Sequence, residues 1–122
     1  MSRTPVVSIV DDDDSVRAAM SSLVRSLGYE ACLFASAEAF LASPCLDDTS
    51  CLIADIQMPG MSGFDLKKLL DARGSAIPVI MITARAGVDL EVKAAASGAL
   101  CLLRKPFETD ALIDCLERAA NN

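Results

Sequence analysis

Short apolar runs and longer amphipathic stretches alternate five times along the chain. The runs cover positions 6–10, 31–34, 51–54, 79–82 and 100–103. Each is four or five residues long, which suits a β-strand buried on both faces. Between them the apolar positions take helical spacing. Val16, Met20, Leu23 and Leu27 form an i, i+4, i+7, i+11 stripe closed by Gly28. Ser36 opens a short helix expected over 37–41, ended before Ser43-Pro44. Ser62 and Asp65 have capping-box spacing and predict a helix over 64–72 that stops near Gly74. Val88, Val92 and Ala95 carry an alanine-rich helix ending at Gly98. Leu112, Leu116 and Ala119 stripe the last helix, with Glu108 and Asp110 in its first turn, where the helix dipole favours acids.

This rhythm is β-α repeated five times. Strands separated by helix-length connections imply a parallel sheet with helices on both faces, so the fold class is a three-layer α/β sandwich. The 122 residues contain no low-complexity tract or linker and read as one domain. With 52% hydrophobic and 23% charged residues the chain is globular rather than disordered. A net charge of −6 disfavours direct nucleic-acid binding. No apolar stretch reaches 18 residues, and the first run is too short for a signal-peptide core, so the expectation is a cytoplasmic domain without membrane contact. Zero histidines exclude a histidine metal ligand, a Ser-His-Asp or Cys-His dyad, and phosphohistidine on this chain. Cys32, Cys45, Cys51, Cys101 and Cys115 lack C-x-x-C spacing and are expected as small buried hydrophobes in a reducing compartment.

In an open parallel sheet, ligands bind beyond the carboxyl ends of the strands. Asp11 and Asp12 follow the first run, Asp55 the third and Thr83 the fourth, while Lys105 lies just past the fifth. The second ends in Phe34-Ala35-Ser36, with nothing reactive. Acids at strand ends also cap helices, and Asp13 or Asp14 is expected to do that. Four of the five strand ends nevertheless bring acid, acid, hydroxyl and amine to one edge. Three carboxylates and one ammonium leave a net charge that a divalent cation would neutralise. Oxygen-only ligands suit Mg²⁺ or Mn²⁺ rather than zinc. Such a pocket could accept a phosphoryl group on Asp55, with Lys105 and the metal screening its oxygens and Thr83 donating a hydrogen bond.

These residues resemble the receiver domain of two-component response regulators. The matching stretches are Ile9-Val10-Asp11-Asp12, Asp55-Ile56-Gln57-Met58-Pro59-Gly60-Met61-Ser62-Gly63, Ile82-Thr83-Ala84 and Lys105-Pro106-Phe107. The resemblance spans residues 5 to about 120, within a single receiver domain expected over 1–122 with no output domain in the chain. Ser36-Ala37-Glu38-Ala39-Phe40-Leu41 further resembles the branch that precedes LuxR-type DNA-binding domains. The resemblance implies a (βα)5 flavodoxin-like fold with strand order 2-1-3-4-5. It implies that Asp55 accepts phosphate from a sensor histidine kinase or a histidine phosphotransfer protein. Asp12, Asp55 and the backbone carbonyl of Gln57 would ligate Mg²⁺, with Asp11 acting mainly through water and Mn²⁺ able to substitute. Thr83 and Lys105 would read the phosphoryl oxygens, and the Lys105-Pro106 bond is expected to be cis. The 84–120 face would be the output surface and a homodimer interface. Many receivers carry Tyr or Phe where this chain has Leu102, which is expected to be an ordinary strand residue.

The expected function is a phosphorylation-dependent switch rather than an enzyme, with self-phosphorylation from small donors and autodephosphorylation at most. It would serve as the regulatory domain of a transcriptional regulator, or as a stand-alone receiver in a phosphorelay. A phosphatase of the haloacid-dehalogenase type would want a second acid where Gln57 stands. Flavin binding would want a Gly-rich phosphate loop where the chain has four aspartates. A pseudo-receiver would not keep the acid pair, Asp55, Thr83 and Lys105 together.

Overall fold

A computed structural model describes residues 4–85 and 87–121. The chain runs β1 (Val6–Val10), α1 (Asp14–Ser26), β2 (Glu30–Phe34), α2 (Ala37–Leu41), α3 (Cys45–Asp48), β3 (Cys51–Asp55), α4 (Gly63–Ala72), β4 (Val79–Thr83), α5 (Val88–Ala96), β5 (Cys101–Arg104) and α6 (Thr109–Ala120). The outermost residues of the expected 1–122 domain, and Ala86 within the expected 84–120 face, lie outside the described residues.

All five strands are parallel, in the order β2-β1-β3-β4-β5. The registers Ile9↔Ile53, Ile53↔Ile80 and Ile82↔Leu103 line β-branched and leucine side chains across the sheet. Alternation along each strand splits these residues between two cores. Val7, Ile9, Ile53, Ile80 and Ile82 pack with Met20 and Val24 of α1 and with Leu112 and Leu116 of α6. Val10, Leu52, Ala54, Val79 and Met81 pack on the opposite face with Phe40, Leu66, Leu70 and Ala94. Helices therefore cover both faces, and the site at the strand ends rests on a rigid, fully packed centre.

Local signals set most boundaries. The Asp13 carboxylate accepts from Ser15 N and Val16 N at 2.8 and 3.1 Å, and Ser36 Oγ accepts from Ala39 N at 3.1 Å. The Ser62–Asp65 capping box is complete, with both reciprocal bonds formed. Asp55 and Thr83 close their strands rather than following them, and β5 lies one residue later than its apolar run.

Three expectations are corrected, and one short element carried no expectation. β3 and β4 are buried throughout, but β2 is not, and its Leu33 is 41% exposed. An edge strand is paired on one side only and is incompletely covered. The stripe on α1 ends early: Leu27 is the C-cap and exposed, while Val24 is buried. On α5, Val88 and Val92 are 71% and 62% exposed, and Ala95 is exposed too. Ala94 and the half-buried Leu90 face the sheet instead. Positions 88/92 and 90/94 lie roughly 200° apart on a helix, so both stripes satisfy the same spacing and packing chooses the face bearing leucine. Finally, α3 is a single turn of four residues, too short to show any period.

Candidate functional site

Three strand ends turn out of the sheet by one device, a side chain accepting the backbone N–H two residues on. Asp11 Oδ1 accepts from Asp13 N at 2.8 Å, Asp55 Oδ1 from Gln57 N at 3.0 Å, and Thr83 Oγ1 from Arg85 N at 3.0 Å. Asx- and ST-turns of this kind replace ladder bonds that the departing chain can no longer make. They also fix the rotamers of three polar groups on one edge. Because β1 and β3 are neighbours, Asp11 and Asp12 come beside Asp55. Carboxylate oxygens of the three lie within 4.8 Å of one another.

Lys105 enters from beyond β5. Its backbone N donates to Thr83 O at 2.7 Å, which continues the β4–β5 pairing, and the Lys105-Pro106 bond is cis, as expected. The ammonium reaches back across the sheet edge to Asp55 Oδ2 at 3.0 Å and Asp11 Oδ2 at 2.9 Å. Asp11, Asp55 and Thr83 are buried, and Asp12 and the Gln57 side chain are exposed. All the sequence-predicted side chains thus converge at one edge, with Gln57 contributing backbone.

Burial pushes the Asp55 carboxyl above its ordinary range. The Gln57 N–H and the Lys105 ammonium pull the other way, and the neighbouring Asp11 pushes it up again. Lys105 feels burial as a downward pull, but the two carboxylates outweigh it and hold its pKa above the usual lysine value. Asp11 Oδ2 is buried and takes no hydrogen bond of normal geometry among the described residues; the ammonium faces it only as an ion pair. Three carboxylates around one such oxygen fit a hard divalent cation, which prefers oxygen ligands and retains waters. Since Thr83 Oγ1 accepts from Arg85 N, its proton is free to donate to an anion.

Three supporting residues escaped the sequence reading. At Gly63 a Cβ would stand 2.6 Å from Asp55 O, so glycine lets the start of α4 approach the end of β3. Its N–H donates to Ile56 O at 3.1 Å. Glu38 Oε2 accepts from Met61 N at 3.3 Å and ties α2 to the loop after Asp55. Arg17 Nη1 donates to Asp11 O at 2.5 Å and pairs with Asp14, anchoring the first acidic turn to α1. Gly63 and Glu38 lie in the motifs already noted, but nothing in their spacing assigned them these contacts. Leu102, in β5, is half-buried and packs against the core on the α2, α4 and α5 side.

Comparison with known proteins gives one answer. The family model for the response regulator receiver domain matches residues 7–117. The response regulator protein TodT of Pseudomonas putida is 39% identical over 117 residues, covering 96% of this chain and 52% of that protein. The transcriptional regulatory protein FixJ of Azorhizobium caulinodans is 41% identical over 107 residues, covering 88% of this chain and 51% of the relative. The chain therefore spans about half the length of these curated relatives. Its backbone matches the crystal structure of FixJ-N with a TM-score of 0.87 at 35% identity, over 99% of this chain and 97% of that one. With strand order, site chemistry and sequence in agreement, the chain belongs to the response regulator receiver domain family.

Proposed function

We propose that Asp55 is the phosphoacceptor of this receiver domain and that Lys105, Thr83, Asp11, Asp12 and the Gln57 carbonyl serve it. The observation that carries the reading is the Lys105 ammonium, held 3.0 Å from Asp55 and 2.9 Å from Asp11. Receiver domains are phosphorylated by histidine kinases and hold Mg²⁺ at an acidic pocket. Here Asp11, Asp12 and Asp55, with the Gln57 carbonyl, would hold the ion, and Mn²⁺ would substitute. The bound cation would neutralise negative charge on the pocket and on the incoming phosphoryl oxygens.

The chain's own residues do the rest. An Asp55 carboxylate oxygen attacks phosphorus, the donor's N–P bond breaks, and an acyl phosphate forms with the donor imidazole leaving. These 122 residues contain no histidine, so the donor histidine lies outside them, on a sensor histidine kinase or a histidine phosphotransfer protein. Lys105 follows the charge from carboxylate to phosphoryl oxygen, and the Thr83 hydroxyl donates to a second oxygen. Either move disturbs a contact that now fixes the β4–α5 turn or the β5 end, which would bias the 84–120 face. Val88 and Val92, exposed on α5, lie on that face and suit a homodimer or output partner. The chain would act as the regulatory domain of a transcriptional regulator, in keeping with relatives such as FixJ. A stand-alone receiver in a phosphorelay uses the same chemistry.

Intact mass after incubation with acetyl phosphate, with and without Mg²⁺, tests this. One Mg²⁺-dependent phosphoryl adduct, absent in Asp55→Asn, is expected. An adduct that survives in Asp55→Asn would refute the assignment, and absence of any adduct would leave a receiver that signals by binding alone. Sizing of the phosphorylated product then tests the dimer.

A further inference from the structure

Cys32 in β2 and Cys45 at the start of α3 hold their Sγ atoms 2.9 Å apart. Both thiols are free and half-buried, as is Cys101, which corrects the expectation that all five cysteines are buried; Cys51 and Cys115 are buried. A disulfide needs about 2.05 Å between sulfurs, so the pair must close by less than about 1 Å. Its two ends are anchored to the same point of the sheet. Cys32 is the register partner of Ser8 in β1. The Cys45 carbonyl accepts from Thr49 Oγ1 at 2.7 Å, and that hydroxyl shares a buried 2.6 Å hydrogen bond with Ser8 Oγ. Cys45 N donates to Ser43 Oγ at 3.1 Å, which holds the start of α3 in place. The thiols are therefore positioned together by the fold rather than by chance rotamers.

We propose that Cys32 and Cys45 form a reversible oxidation site, converted to an intramolecular disulfide by a low-molecular-weight disulfide. One protein thiolate attacks the reagent's S–S bond, forming a mixed disulfide and expelling one reagent thiolate. The second cysteine attacks the protein sulfur of that mixed disulfide, releasing the other. The protein loses two protons and two electrons, and the reagent takes both up as two thiols. Burial, the hydrogen bond with Cys45, and the charges of Cys45, Glu30 and Asp48 push the Cys32 thiol up to about 11. The acids nearby favour an uncharged reagent over an anionic one.

Closure staples α3 to the exposed edge strand and encloses α2 within the loop. Glu38 of α2 holds Met61 N in the loop after Asp55, so the staple stiffens an element that touches that loop. The inference does not depend on phosphorylation of Asp55. By loop-closure entropy, a cross-link across this separation should raise Tm by roughly 10 °C.

The test is to treat the reduced chain with 2-hydroxyethyl disulfide, block remaining thiols by alkylation, and map peptides. Two of the five thiols should escape alkylation, with Cys32 and Cys45 in one linked peptide pair and Tm raised. Dithiothreitol should reverse both changes. Cys32→Ser and Cys45→Ser should each lack the linked pair, and the wild-type map decides the matter if either variant fails to fold. A persistent mixed disulfide, a covalent dimer, a link among Cys51, Cys101 and Cys115 in its place, or no reaction would each overturn the proposal.

Discussion

Replacing Lys105 by methionine keeps the aliphatic stem but removes the ammonium that lies between two buried carboxylates. The side chains of Asp11 and Asp55 are 0% and 6% exposed, and that of Lys105 is 17% exposed. Coulomb attraction at about 3 Å and an effective dielectric of roughly 20 is about 5 kcal/mol per contact, before desolvation and carboxylate repulsion are subtracted. Removing one partner of a buried pair typically costs about 3–5 kcal/mol, because the remaining charge is left uncompensated. The pocket opens to solvent at Asp12, which favours the lower figure. We expect Lys105→Met to lose about 3 kcal/mol in EDTA at pH 7, and Mg²⁺ to restore much of it by returning positive charge to the same oxygens. Urea denaturation of both proteins, with EDTA and with Mg²⁺, reads this directly. The penalty should also depend on pH. Without the ammonium, the Asp55 carboxyl is raised further above its unfolded value. The loss is then absent below the unfolded pKa, near 3.8 for Asp55, and grows as pH rises through the folded values. In wild type the contribution of Lys105, whose folded pKa is raised, is present below about 10.5 and lost above it. A variant within about 0.5 kcal/mol of wild type in EDTA would refute the reasoning. So would Mg²⁺ stabilising both proteins equally.

Asp55→Asn should be more stable than wild type at pH 7 in EDTA. Because the folded pKa of Asp55 is raised, ionisation favours the unfolded chain, and the gain should vanish as pH falls below 3.8, which thermal melts across pH will show. Gly63→Ala forces a Cβ against Asp55 O, costing about 1–3 kcal/mol by overpacking and slowing acetyl phosphate labelling, whereas an unchanged labelling rate would place no demand on that approach. Ser62→Ala removes one half of the capping box and should cost about 1 kcal/mol in urea without altering labelling. Val88→Glu with Val92→Lys should leave stability within about 0.5 kcal/mol, since both positions are exposed, yet weaken any phosphorylation-dependent dimer seen on sizing.

What the chain itself determined is what neighbouring residues decide among themselves. Runs of four or five apolar residues became strands, and Asp13, Ser36 and the Ser62–Asp65 pair start their helices, because the donors they satisfy lie two or three residues away. The site was legible for a related reason. Parallel strands with helical returns all end at one edge, so Asp11, Asp12, Asp55, Thr83 and Lys105 had to meet there. Strand order was not in the periodicity and came from the family resemblance. Tertiary structure alone decided which of two equally spaced stripes on α5 faces inward, since only the packed partner distinguishes Leu90 and Ala94 from Val88 and Val92. It also left β2 half-covered at the sheet edge and brought α4 close enough to β3 to require Gly63. The contact between Cys32 and Cys45 belongs with these. It depends on Thr49 and Ser8 joining two distant segments, and no spacing along the chain records a hydrogen bond between residues 41 positions apart.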